Sequence, residues 1–198
     1  MPDLDVNLDQ DPAASAPDDS ASPSRDVPDG ARDAWSEAAR EVLTATAQRY
    51  HAVVTYKELA AEVQDRTGIH TRKLMQHWIG DVLKLVAADC ERRGEPNLAS
   101  LCVNAQGSVG AGYEAVVRAQ SGSVPDDADA HAAQERLECY RAANAPDLPA
   151  DGGRPSLSPK LQASRSRARV VAARDKPADV CPTCHMARLP NGVCDNCD

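Results

Sequence analysis

Two Cys-x-x-Cys pairs stand near the end of the sequence, Cys181 with Cys184 and Cys194 with Cys197, and nine residues separate them. A Cys-x-x-Cys turn directs two thiolates at one point, so two such turns provide the four ligands of a closed tetrahedral zinc site. A segment this short buries almost no core, and metal binding would have to provide its folding free energy. The spacing therefore predicts one structural Zn²⁺ in a small domain spanning residues 181–198.

The same cysteines admit a second interpretation as redox-active dithiols, although the βαβ context of such motifs is missing. His185 is an alternative ligand that four cysteines make unnecessary. The segment resembles the compact zinc ribbons at the ends of many prokaryotic proteins, with Gly192 allowing the turn between the pairs. The other cysteines fall on predicted apolar faces, where we expect inert core thiols: Cys90, Cys102 and Cys139.

The composition limits the core of the rest of the chain. Phenylalanine is absent, and the 198 residues include only two Trp and four Tyr. A core of Ala, Val and Leu is expected to be modest and mainly helical. No apolar run reaches the roughly 18 residues of a membrane span, and no signal peptide is recognisable, so we expect a cytoplasmic protein without a membrane partner.

The net charge of −8 is concentrated at the amino terminus, where residues 1–30 contain eight Asp and one Arg. This segment is also rich in Pro, Ala and Ser and lacks hydrophobic periodicity, which predicts a disordered acidic tail. It is either a solvated leader or an autoinhibitory arm that competes for a basic surface. Residues 31–120, in contrast, carry no net charge.

Hydrophobic periodicity organises residues 31–120 into a helix up to Tyr50, a short strand, and two further helices. Thr55 and Glu58 form a capping box at the start of the second helix, and Thr71 is expected to cap the third. Two strands, 98–103 and 113–117, are predicted to form a β-hairpin. This order predicts a mainly α winged helix-turn-helix domain, followed by an accessory helix (121–144) and a flexible basic linker (145–180) in which a transient helix is expected around Leu161 to Ala173.

Two motifs carry a resemblance to a known family. The segments Val54-Thr-Tyr-Lys-Glu-Leu-Ala60 and Val103-Asn-Ala-Gln-Gly-Ser-Val-Gly110 resemble the DNA-binding domain of alkylguanine-DNA alkyltransferases and alkyltransferase-like proteins. The resemblance implies a winged helix-turn-helix fold and DNA as partner. It also places Ala99 where an alkyltransferase carries its nucleophilic cysteine, and Leu101 where it carries an arginine. Cys102 lies three positions too late, so we expect no alkyl transfer.

Polar residues on the predicted third helix are candidates for contacts with DNA, because this helix of a winged domain enters the major groove. They are Arg72, Lys73, Gln76, His77 and Lys84. An ordinary solvated or protein-docking face is the alternative, because residues 31–120 are neutral and residues 104–112 contain no Lys or Arg.

Three arginines of the predicted linker, Arg165, Arg167 and Arg169, are candidates for phosphate contacts. A plain solvated linker is the alternative. Phosphate loops, H-E-x-x-H and G-x-S-x-G motifs are absent, so we expect that the protein is not an enzyme and has no small-molecule substrate. The sequence thus favours a non-catalytic, DNA-binding regulatory or accessory protein with a structural zinc. The alternative is a protein–protein interaction adaptor that uses the winged domain and the ribbon as docking modules.

Overall fold

A computed structural model describes residues 27–175, 180–186, 188–189 and 192–197. Most of the predicted acidic tail lies outside these residues. The described helices and strands are α1 (Ala31–Ala47), β1 (Val54–Thr55), α2 (Tyr56–Thr67), α3 (Ile79–Arg93), β2 (Cys102–Val103), α4 (Ala111–Ser121), α5 (Ala128–Ala142) and α6 (Pro159–Arg174). Short 3₁₀ helices cover Met75–His77 and Leu98–Leu101. The prediction of a mainly helical protein is confirmed.

Helix α1 forms the centre of the core and packs against α2 and α3. Its buried side includes Trp35 and Leu43, which recur at helical spacing as the sequence predicts. The ring of Trp35 lies 4.3 Å from that of Trp78, and the indole of Trp35 donates to the carbonyl of Ile69 at 3.1 Å. Two tryptophans thus provide much of the bulk of a core that contains no phenylalanine.

The predicted capping box at the start of α2 is confirmed. The Thr55 hydroxyl accepts the Glu58 amide at 3.2 Å, and the Glu58 carboxylate accepts the Thr55 amide at 2.8 Å. Helix α2 ends at Gly68, whose φ of 67° lies in the left-handed region that glycine adopts without strain. These local signals set both ends of the helix.

The predicted β-hairpin is wrong. Strand β2 pairs in parallel with β1, in the register Val54 to Cys102 and Thr55 to Val103. The second predicted strand, 113–117, is part of helix α4, because Tyr113, Val116 and Val117 share one buried side at helical spacing. Residues 104–110 therefore connect a strand to a helix and do not form the tip of a wing.

The third predicted helix begins at Ile79, not after Thr71. The Thr71 hydroxyl accepts the amide of Lys73 at 3.1 Å in a local turn, and no helix continues from it. Trp78 has a non-helical φ of −140°, and its indole donates to the Lys73 carbonyl at 3.3 Å. Burial of this tryptophan against Trp35 ends the 3₁₀ turn and sets the start of α3.

The predicted accessory helix is α5, shorter than expected and capped by Asp127, whose carboxylate accepts the amides of Asp129 and Ala130. The structure describes the predicted linker up to Asp175. It contains α6, and its residues 152–158 are bonded to the helical body through the side chains of Tyr50, Arg136 and Arg141. In the part of the chain that the structure describes, no helix has the length and apolar character needed to cross a bilayer.

Candidate functional site

A cavity of about 280 Å³ opens between α2, α3, α4 and the 3₁₀ helix that contains Ala99. Its walls are largely apolar and include several residues without bulky side chains, so a flat group could enter. They are formed by Tyr56, Met75, Gln76, Ile79, Gly80, Leu83, Ala99, Gly110, Ala111, Gly112, Tyr113 and Val116.

The polar groups of this cavity are mainly hydrogen-bond donors. The Tyr56 hydroxyl accepts the Gly110 amide at 2.9 Å, which leaves its own proton to point elsewhere, and burial raises its pKa to about 12. The first residues of α3 and α4 also line the cavity, and neither helix has a side-chain cap. Uncapped helix amino termini carry partial positive charge, which Asp81 and Glu114 in the first turns partly offset, and their amides can donate to a ligand edge that accepts hydrogen bonds.

Ala99, which the family resemblance aligns with the nucleophile, lies in the wall of this cavity. Among the described lining residues there is no Cys, Ser, His, Lys or carboxylate. Cys102 is fully buried outside the lining, and burial raises the pKa of its thiol. A protonated, inaccessible thiol cannot act as a nucleophile.

The residues predicted to contact DNA from one helix face do not share a helix. Arg72 and Lys73 precede the 3₁₀ turn, Gln76 and His77 belong to it, and Lys84 alone is on α3, where it pairs with Asp81 at 3.1 Å. Gln76 lines the cavity. The segment from 66 to 80 nevertheless contains two Arg, one Lys and two His without any Asp or Glu. The prediction that these residues share one helix face is wrong. Arg72 and Lys73 nevertheless lie close to the cavity residue Gln76 along the chain.

The three predicted phosphate contacts of the linker differ in their surroundings. Arg165 is bonded to Asp127 at 2.6 and 3.0 Å and to Asp129 at 3.0 Å. The side chains of Arg167 and Arg169 are exposed, and no ion pair with another described residue holds them. Arg167 and Arg169 are therefore available to a phosphate, whereas the charge of Arg165 is already offset by Asp127 and Asp129.

The four C-terminal cysteines come together as the spacing predicts. Their Sγ atoms all lie within 4.8 Å of one another, with Cys184 and Cys194 at 3.4 Å and Cys181 and Cys197 at 3.9 Å. Four thiolates bound tetrahedrally at about 2.3 Å would be separated by about 3.8 Å. The cluster can therefore hold a metal ion.

The chemistry of the cluster also fits a cation. Amides of Cys184 and Thr183 point at the Cys181 sulfur and lower its pKa to about 6, and the Met186 amide lowers the pKa of Cys184. Contacts with the neighbouring thiols raise the pKa of Cys197 to about 12. All four sulfurs can carry charge together only if a positive ion offsets their repulsion.

Sequence reasoning missed most of the cavity. Tyr56 was part of a recognised motif, and Ala99 was singled out only as a missing nucleophile. The signal that could have indicated the site is the Gly110-Ala111-Gly112 run, which leaves the start of α4 without large side chains. No sequence pattern indicated that the Asp129 carboxylate bonds the residues beside Gly110.

Comparison with known proteins adds no further constraint on this site. No protein-family model, curated protein or solved structure matches the chain.

Proposed function

We propose that this protein binds DNA without reacting with it, and that the cavity beside Ala99 receives a nucleobase turned out of the helical stack. One observation carries the proposal: an apolar cavity of about 280 Å³ is lined in part by Met75 and Gln76, which follow the cations Arg72 and Lys73 in a stretch without acidic residues. The cavity would hold the base, and the cations would hold the phosphates on either side of it.

The shape and polarity of the cavity suit a base. An extruded base is held between apolar or aromatic groups and hydrogen-bonded along its edge. Here Gly80, Ala99 and Gly112 leave room for a flat ring, while Tyr56 and the starts of α3 and α4 offer donors. Carbonyl oxygens and ring nitrogens of bases are the complementary acceptors.

The charge distribution around the cavity is compatible with phosphate. Arg72 and Lys73 precede the lining residues Met75 and Gln76 in a stretch without carboxylates, and residues 96–113 carry no charge of either sign. The exposed Arg167 and Arg169 add two cations on α6. Because much of the net negative charge belongs to residues 1–30, it does not count against an anionic partner of the folded part.

A binding role, not a catalytic one, follows from the lining. Covalent chemistry on a base needs a nucleophile or an acid–base group within reach, and the described lining offers hydroxyls of tyrosine as its only titratable groups. The alignment with alkyltransferases places Ala99 at the position of the reactive cysteine. The proposed activity is therefore recognition in a regulatory or accessory role.

We further propose that the metal of the four-cysteine cluster is zinc and that it is structural. Thiolates at tetrahedral spacing match the preference of Zn²⁺, and four protein ligands leave no position for a substrate. A disulfide would compete for the same sulfurs, but all four cysteines are free thiols.

A protein partner is the second candidate function, and exposed apolar side chains around the cysteine cluster favour it. Val180, Met186, Leu189 and Val193 are all at least 40% exposed. Exposed apolar patches are typical of docking surfaces. In this alternative the cluster would dock onto a larger complex and the cavity would hold a side chain of the partner.

The test is a salt-titrated binding measurement with two probes, a random duplex and the same duplex with one unpaired, bulged base. We expect tighter binding to the bulged duplex and a steep loss of affinity with salt. Substituting Arg72→Ala should weaken binding to both probes alike and reduce the salt slope by about 1. Arg49→Ala, which removes an exposed cation at the end of α1, is the matched control.

Filling the cavity separates base binding from phosphate binding. A Cβ at Gly112 meets no atom within 4 Å, so Gly112→Leu adds bulk to a residue of the cavity wall at a point with room for the Cβ. This variant should bind both probes equally, at the affinity of the wild type for the random duplex. Absence of binding to either probe at about 50 mM salt, in the full chain and in a chain lacking residues 1–26, would exclude DNA as the partner.

A further inference from the structure

The loop of residues 104–110 forms one edge of the cavity, because it ends at Gly110, where α4 begins. The loop is closed internally by Asn104, whose side chain accepts the amides of Gln106 at 2.9 Å and Ser108 at 3.1 Å. These bonds fix the shape of the loop but not its position relative to the cavity. That position depends on contacts with other elements.

Asp129 makes the contacts that hold the end of the loop nearest the cavity. One carboxylate oxygen accepts the Val109 amide at 2.8 Å, and the other accepts the Ser108 hydroxyl at 3.0 Å. Val109 itself is buried against Tyr113, and Gly110 follows it directly. With only 12% of its side chain exposed, Asp129 is a partly desolvated charge that binds two consecutive residues of the loop.

Arg165 completes this arrangement from α6. Its guanidinium donates to the Asp129 carboxylate at 3.0 Å and to both carboxylate oxygens of Asp127, the residue that caps α5. On the other side of the loop, the Ser158 hydroxyl donates to the Gly107 carbonyl at 2.6 Å. The loop is thus held between the start of α5 and the first turns of α6.

We propose that Asp129 is a positioning residue of the cavity and that Arg165 orients it, so that this pair sets where the Ser108–Gly110 end of the loop lies. The inference rests on the proposed function, because it assigns the pair to the recognition of the extruded base. It gives Arg165 a role different from the phosphate contact expected from sequence. Arg167 and Arg169, two and four residues further along the same helix, remain the cations for phosphate.

The first measurement needs no DNA. Amide hydrogen exchange at Val109 and Gly110 should accelerate at least about tenfold in Asp129→Asn, which replaces the charged acceptor of the Val109 amide with a neutral one, and in Arg165→Gln, which removes the cation that orients this acceptor. Asp129→Asn keeps an oxygen for the Val109 amide and should still fold. Arg169→Gln removes the same charge from an exposed position of α6 and is the control, with exchange unchanged.

The second measurement separates positioning from mere structural support. The two Asp129 and Arg165 variants should lose about tenfold of the preference for the bulged over the random duplex, a difference of about 1.4 kcal/mol. Their affinity for the random duplex should stay close to that of the wild type, because neither residue is assigned a phosphate contact, whereas Arg169→Gln should weaken binding to both probes alike. Unchanged exchange at Val109 in both variants overturns the proposal, and so does accelerated exchange with an unchanged preference. If the wild type shows no preference at all, the proposed base recognition fails, and the exchange result still decides whether the pair holds the loop.

Discussion

The hydroxyl oxygen of Tyr56 lies 2.9 Å from the amide nitrogen of Gly110, and this bond joins α2 to the start of α4 across the wall of the cavity. A Cβ at residue 110 would lie 2.8 Å from the same oxygen, so the contact also requires glycine at that position. A residue from the first predicted motif and a residue from the second thus meet at the candidate site.

Replacing Tyr56 with Phe should lower the free energy of unfolding by about 1 kcal/mol, because the Gly110 amide loses its acceptor. The same variant should reduce the preference for a bulged base. Urea unfolding and the two-probe binding assay measure these effects. Tyr50→Phe is the control, because it removes a hydroxyl that bonds Arg154 away from the cavity and should leave the preference intact. Equal preference in Tyr56→Phe and the wild type would contradict a contact between Tyr56 and the base.

The purified chain should contain one zinc ion per molecule, and Cys184→Ser should lose it, because three thiolates bind far less tightly than four. Acidification should release the metal as protons compete for the sulfurs. Elemental analysis and a chromogenic zinc indicator measure both. Cys139→Ala, which removes a buried thiol outside the cluster, should retain the metal. Full zinc content in Cys184→Ser would show that the cluster is not the binding site.

No alkyl group should transfer from alkylated DNA to this protein. The described lining of the cavity includes Ala99 and no nucleophile, and burial keeps the Cys102 thiol protonated and out of reach. Intact-protein mass after incubation with alkylguanine-containing DNA should equal the mass before. An added alkyl mass that maps to Cys102 would refute both the prediction and the alignment on which it depends.

Removing residues 1–26 should tighten DNA binding at low salt and have little effect at high salt. These residues contain seven Asp and one Arg, and carboxylates compete with phosphate for exposed arginines over a Debye length that shrinks as salt increases. The truncation retains Pro28, whose carbonyl accepts the Ala31 amide at the start of α1. Unchanged affinity at every salt concentration would contradict an autoinhibitory role of the tail and favour its interpretation as a solvated leader.

Local signals could be predicted from the sequence because the residues that form them are close together in the chain. The Thr55–Glu58 capping box and the Gly68 helix end depend on a few consecutive residues. The cysteine cluster likewise depends on two short turns with a fixed spacing. In each case neighbouring residues form the backbone hydrogen bond or place the sulfur atoms by themselves. No contact with a distant part of the chain is needed.

Elements set by distant packing could not be predicted in this way. Val116 and Val117 have the β-branched character of a strand, but burial at helical spacing determines the outcome. Leu74 lies four residues before the buried Trp78 at helical spacing but is 63% exposed, because burial of Trp78 redirects the chain before α3. The cavity combines residues from five separate segments, and the Asp129–Arg165 pair spans 36 positions. Neither leaves a periodic or composition signal.

The parallel pairing of β1 with β2 has a consequence for how the protein folds. Only two residues of each strand take part, yet they join positions 48 apart along the chain, from Val54 to Cys102. Closing so long a loop costs conformational entropy before the contacts that offset it are made, which makes the step slow relative to helix formation. Helices α1 to α3 can form early from local contacts, whereas the wall that carries Ala99 and Gly110 can be placed only after the strands meet. The cavity is then among the later features of residues 31–121 to acquire its native form, because its wall depends on a contact between distant parts of the chain.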